Sequence, residues 1–246
     1  MKPVDAHCHL DFEQYDGDRD EVIERCKEQL EFVVNNGSNI ENNQATLKLA
    51  EEHADLILPA LGLHPTYTDH FDELEEVKEM IREEDPVAVG EIGLDYHHVK
   101  EEELRERQMD VFKELLKLAE QLDKPVAIHS RDAEKQVVKT LEDYDVDVML
   151  HCFNGPPELA KKAVKDGAMI GVTAQVLYSA RVQNIVREVD LENLLLETDS
   201  PFLYRGERNE PVNVKESAEK IAELKSVDKE EVIEKTTGNA DKFFYT

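Results

Sequence analysis

Apolar positions along the 246-residue chain alternate between two periods. Short runs rich in Val, Ile, Leu and Ala predict strands at residues 4–6, 32–34, 56–61, 87–92, 126–128, 146–150, 169–172 and 194–196. Between them, apolar residues recur three and four apart and predict helices. Val22, Ile23, Cys26 and Leu30 mark the first, over residues 18–29; Ala45, Leu49 and Ala50 mark the next, over 42–53; Leu74, Val77 and Ile81 mark 71–84. Further helices are expected over 101–122, 132–141, 156–165 and 179–189, with two closing ones over 213–224 and 229–236. Asp123-Lys124-Pro125 ends the longest of these, and Gly167 ends another.

Eight strand-helix repeats with no low-complexity linker predict one domain over residues 1–246, folded as a single (β/α)8 TIM-type barrel. An open doubly wound sheet is the competitor, but no Gly-x-Gly-x-x-Gly or Walker-type loop follows an early strand. In a barrel the C-terminal ends of all strands share one rim. His7, His9, His64, Glu91, His129, His151 and Asp199 would then face one another although they span most of the chain.

Glu91 lies in the stretch that organises the rest, Val87-Ala88-Val89-Gly90-Glu91-Ile92-Gly93-Leu94-Asp95. A carboxylate at the end of a buried strand needs a cation or a salt bridge. His7 and His9, two apart on a strand, point to the same side, so both can be ligands. Cys8 and Cys152, each beside such a histidine, should point the opposite way as core thiols. A lone histidine at a strand end is more often a satisfied core residue, but five on one rim reverse that expectation; His53, His70, His97 and His98 keep it.

Four histidines with two carboxylates suit two divalent cations about 3.5 to 4 Å apart. His7, His9, Asp199 and one oxygen of Glu91 would hold the first; His129, His151 and the other oxygen would hold the second. Imidazole suits Zn²⁺, and carboxylates with open water positions admit Mg²⁺ or Mn²⁺. Asp199, able to ligate a metal and accept a proton from the attacking water, is the candidate general base, and Glu91 is the catalytic bridge.

Composition restricts this picture. No apolar run approaches the roughly 18 residues of a membrane span, and no apolar segment follows Met1. Cys8, Cys26 and Cys152 form no spacing motif, which suits a reducing compartment. A soluble cytoplasmic protein with no obligate protein partner is expected. The formal charge of −27 repels phosphate in dilute buffer. A salt-rich cytoplasm would screen it, with a Debye length of about 3 Å at 1 M.

Asp5-Ala6-His7-Cys8-His9-Leu10-Asp11, Gly62-Leu63-His64-Pro65, Gly90-Glu91-Ile92-Gly93-Leu94-Asp95, Ile128-His129-Ser130-Arg131, His151-Cys152-Phe153 and Glu197-Thr198-Asp199-Ser200-Pro201 occur in that order. As a set, they resemble the TatD-type metal-dependent deoxyribonucleases of the amidohydrolase superfamily. Arg208-Asn209-Glu210-Pro211 and Gly238-Asn239-Ala240 resemble that family's tail. The resemblance implies a metal-dependent phosphodiesterase that removes nucleotides from DNA ends, often 3′ ends of single strands, with His7, His9, Glu91, His129, His151 and Asp199 as ligands. It also implies that His64 and Glu197 support the ligands or touch substrate. Arg131 and Arg208 would hold phosphate, with ordinary ion pairs as the alternative. The segment Gly171-Val172-Thr173-Ala174-Gln175 lacks the family's Ser- and Gly-rich pattern, which would alter the pocket floor.

Two other readings use the same residues. One is an ester or amide hydrolase, such as an aminoacyl-tRNA deacylase, since fold and metals do not fix substrate. The other is a metal-binding module without catalysis. The charge generates a direct prediction: the melting temperature rises with KCl as self-repulsion is screened, and a flat profile would contradict salt adaptation.

Overall fold

The computed structural model describes residues 1–245. Its strands are β1 (Asp5–Cys8), β2 (Val33–Asn36), β3 (Ile57–Leu61), β4 (Ala88–Gly93), β5 (Val126–His129), β6 (Val148–Leu150), β7 (Met169–Val172) and β8 (Leu194–Leu196). Each pairs in parallel with the next, in the order of the chain. The ring closes where Cys8 bridges Ser200, with His9 N donating to Ser200 O at 2.8 Å and Asp199 N to His7 O at 3.0 Å. The eight-stranded barrel expected from the periodicity is therefore the fold.

The helices α1 (Arg19–Gln29), α2 (Ile40–Glu52), α3 (Leu74–Glu84), α4 (Glu102–Leu122), α5 (Glu134–Leu141), α6 (Pro157–Lys165), α7 (Ala180–Glu188), α8 (Val214–Lys225) and α9 (Lys229–Phe244) cover the outside. Their apolar faces meet outward-pointing strand residues such as Val33, Ile57, Val89, Ile128, Leu150, Ile170 and Leu196 in one large core. Burial on both faces is why these strands read as continuous apolar runs rather than as alternating ones.

Residue 236 was the expected end of the last helix, but α9 continues to Phe244. The extension carries Ala240, Phe243 and Phe244 against Val4, Ala6, Phe32, Val34, Ala60, Ala88, Met149 and Leu195. This second apolar cluster plugs the N-terminal end of the barrel. Burying two phenylalanines, worth about 1.5 to 3 kcal/mol each, outweighs the roughly 1 kcal/mol cost of Gly238 in the helix interior. With that end filled by apolar side chains, the polar residues gather at the other.

Candidate metal centre

Local breaks in strand phase aim the polar side chains into the mouth of the barrel. Ala6 joins the inner plug while Cys8 faces the helix layer, and the β1 pairing is irregular between Asp5 and Cys8. The shift turns His7 and His9 inward. In β4 the pairing is irregular between Val89 and Ile92. Ala88 lies in the plug, Val89 and Ile92 face outward, and Glu91 is left pointing into the mouth. Irregularities of this kind re-aim side chains beside active sites. In β6 and β8 plain alternation suffices: Met149 and Leu195 fill the plug, and His151 and Glu197 follow two residues later.

Glu91, only 3 % exposed, is the centre of the cluster. Its Oε2 lies 3.3 Å from His7 Nε2 and 3.5 Å from His9 Nε2. Its Oε1 lies 2.8 Å from His129 Nδ1, 3.3 Å from His64 Nε2 and 3.9 Å from His151 Nε2. Asp199 Oδ1 is 3.5, 3.6 and 3.8 Å from the Nε2 atoms of His9, His151 and His7. A left-handed backbone at Asp199, φ 55°, turns this carboxylate over the cluster. Three overlapping groups have donor atoms close enough to hold a cation: His7, Glu91 and His151; His7, His9 and Asp199; and His64, Glu91 and His129. His7 Nε2 faces His9 Nε2 at 3.2 Å, and His64 Nε2 faces His129 Nδ1 at 3.2 Å. Facing imidazole nitrogens with carboxylate oxygens beside them form a donor set suited to a divalent cation.

The far sides of these rings are also held. His151 Nδ1 bonds Glu197 Oε2 at 2.6 Å, and Glu197 Oε1 accepts the Cys152 amide at 2.7 Å. His9 Nδ1 donates to Asn36 O at 2.8 Å, and His129 Nε2 meets Asp95 Oδ2 at 2.9 Å. Ring N–H groups directed at a carboxylate or carbonyl fix the orientation and tautomer of metal-binding histidines. Gly171 makes room for Glu197: a Cβ there would collide with its carboxylate. The following segment, which departs from the resembled pattern, turns through a 3-10 helix that Thr173 caps.

A family model described as TatD related DNase matches residues 4–245. The chain belongs to the TatD-related DNase family. A relative described as an uncharacterised metal-dependent hydrolase of Methanocaldococcus jannaschii is 39% identical over 249 residues, covering 99% of this chain and 97% of that protein. Human Deoxyribonuclease TATDN3 is 34% identical, covering 98% and 94%. The crystal structure of the Escherichia coli TatD homologue YjjV superposes with a TM-score of 0.87 at 28% identity, covering 99% of this chain and 98% of that one.

In this TatD-family barrel the structure brings His7, His9, His64, Glu91, His129, His151, Glu197 and Asp199 together. Arg131 lies two residues past His129, is exposed, and makes no ion pair among the described residues. Arg208 is elsewhere engaged: Nη1 and Nη2 each bond Asp18 at 2.6 Å, and its guanidinium lies 4.9 Å from the Tyr15 ring centroid. Cys152 corrects an expectation. It is half-buried beyond the end of β6, with φ 46° and Gln175 Nε2 3.4 Å from its Sγ, so strand alternation no longer governs it. Asp95, outside the set of site residues expected from the sequence, also belongs to the cluster: it lies on the loop two residues past the end of β4, four positions after Glu91. Among the described residues no helix is long and apolar enough to cross a membrane.

Burial disfavours a charged Glu91, yet His64, His151 and His7 hold its carboxyl well below the usual range. Burial also opposes charge on His129 and His151, but Asp95 and Glu91 raise the first to about 9, and Glu197, Asp199 and Glu91 raise the second to about 10. Burial and His151 push His7 down to about 3. Against its burial, Asp199 and Glu91 likewise hold His9 well above its ordinary value. Without a metal, then, His9, His129 and His151 carry protons at pH 7, and metal loading must displace them. Calorimetric titration in buffers of different ionisation enthalpy will show up to three protons released, with affinity falling as pH drops below about 10. Asp95→Asn will weaken binding by about tenfold or more and reduce proton release. Loading without proton release would contradict this electrostatic assignment.

Proposed function

We propose that this protein is a metal-dependent hydrolase of phosphodiester bonds that removes nucleotides from DNA ends, above all single-stranded 3′ ends, and that residues 1–246 act as one catalytic domain. The observation that carries the reading is the division of Glu91: each carboxylate oxygen faces a different set of imidazoles at the open rim. Names of relatives, metal-dependent hydrolase and deoxyribonuclease, support the reaction class and the substrate. Buried free thiols at Cys8 and Cys26 suit the reducing cytoplasm.

His7, His9, Asp199 and Glu91 Oε2 would hold one divalent cation; His129, His151 and Glu91 Oε1 would hold a second, with His64 against the same oxygen. Zn²⁺, Mg²⁺ and Mn²⁺ all suit such donors. Cations bound there supply Lewis acidity toward a phosphoryl oxygen and lower the pKa of a bound water toward about 7. The chain's own groups do the rest. Asp199, 17 % exposed at the mouth and ionised, accepts the proton of the attacking water. Glu197 and Asp95 keep His151 and His129 from rotating. Arg131, exposed and without an ion pair among the described residues, would hold a phosphate oxygen of the substrate, whereas Arg208 would have to leave Asp18 to do so.

The test follows release of mononucleotides from 3′-labelled single-stranded DNA with Mg²⁺, Mn²⁺, Zn²⁺ or chelator. Metal-dependent release is expected, lost on chelation and reduced by at least about a hundredfold in Glu91→Gln protein that keeps its wild-type circular dichroism. No release from folded, metal-loaded protein would overturn the nuclease reading. Turnover of an aminoacyl-tRNA or another ester by that same protein would then identify the chemistry.

A further inference from the structure

The large hydrophobic side chains exposed among the described residues are Met1, Tyr178, Phe202 and Tyr245. Met1 and Tyr245 belong to the chain ends. Tyr178 and Phe202 instead stand on the loops after β7 and β8, 53% and 42% exposed, at the rim that carries the cluster. They connect to it directly. The His9 ring stacks on Phe12, with centroids 4.7 Å apart and planes 23° apart, and Phe12 meets Phe202 edge-on at 5.8 Å. Tyr178 Oη donates to Leu203 O at 3.3 Å, which ties it to the same wall. Isolated exposed apolar residues need no explanation, but a row of rings running from a cluster histidine to open solvent does.

We infer that Phe12 and Phe202, with Tyr178 beside them, form a stacking platform for the base of the terminal nucleotide whose phosphodiester faces Glu91 and Asp199. The inference rests on the phosphodiesterase reading and names what grips that substrate. Charge argues for a base as the occupant. A chain of formal charge −27 offers little basic track for a phosphate backbone. At this rim Arg131 and Arg181 are free of carboxylate partners, whereas Arg205 and Arg208 are paired with Glu216 and Asp18. An uncharged planar base pays no electrostatic penalty against such a surface, and aromatic stacking tolerates every base. Two ring-to-ring steps, 4.7 and 5.8 Å, join His9 of the cluster to Phe202. The platform therefore favours ends with an unpaired base, because a paired terminal base is held in the helix and must be unpaired before it can turn onto Phe202.

The experiment compares single-stranded oligonucleotides ending in thymidine or in an abasic tetrahydrofuran residue, hydrolysed by wild type, Phe202→Leu and Phe202→Trp. Wild type will show a KM about tenfold or more higher for the abasic end. Phe202→Leu will raise KM for the thymidine end by a similar factor, leave kcat within about twofold, and erase the difference between substrates. Phe202→Trp will restore it. Equilibrium binding of the same oligonucleotides on a Glu91→Gln background, read by anisotropy of a 5′ dye, gives a measurement independent of turnover. Release of nucleotides without any dependence on base or on Phe202 overturns the platform and leaves the hydrolase. Base-dependent binding lost in the Phe202→Leu variant, with no release by wild type, overturns the hydrolase reading and keeps the platform. Neither effect overturns both.

Discussion

Burying the carboxylate of Glu91 is the constraint on which the rest of the site depends. An ionised carboxylate removed from water is costly by several kcal/mol unless cations or donors surround it. Five imidazoles at the mouth of the barrel supply that surrounding, and the protonated ones among them, His9, His129 and His151, would repel one another without a negative centre. Neither half of the cluster is stable alone. That mutual dependence explains why residues as distant in sequence as His7 and Asp199 are fixed within a few ångströms, and why other carboxylates stand behind the rings. Asp95 and Glu197 raise the basicity of His129 and His151 toward any cation in the mouth.

The barrel makes this possible by separating its two ends. Phe243 and Phe244 seal the N-terminal end with apolar contacts, so no polar group is needed there. The C-terminal end is left open, and the phase shifts in β1 and β4 replace inward apolar side chains with inward histidines and a carboxylate within one or two residues. The closing bond from Asp199 N to His7 O joins the last strand to the first at the cluster itself.

Much of this was legible in the chain. Val126 to His129 and Leu194 to Leu196 announce themselves as buried strands, and the histidines and carboxylates following such runs located the rim. Less legible were contacts that depend on backbone shape. The alternation that holds for His7, Cys8 and His9 fails at Cys152, because a left-handed residue after β6 breaks the strand. Asp95 lies on the loop past Gly93, where no periodicity tells which way a side chain points. The length of α9 was hidden by Gly238, whose local cost is overridden by packing that only the closed barrel creates. Arg208 carries the right charge and fork for phosphate, but its bond to Asp18 joins positions 190 apart in sequence, which no local pattern records.

The central claim is that Glu91 serves two cation sites, one on each carboxylate oxygen. Anomalous diffraction from crystals loaded with Mn²⁺ or Zn²⁺ tests it most directly. The account requires two peaks about 3.5 to 4 Å apart, one beside Oε2 with His7, His9 and Asp199, the other beside Oε1 with His129. A single peak remote from Glu91, or two peaks that do not share its carboxylate, would contradict it.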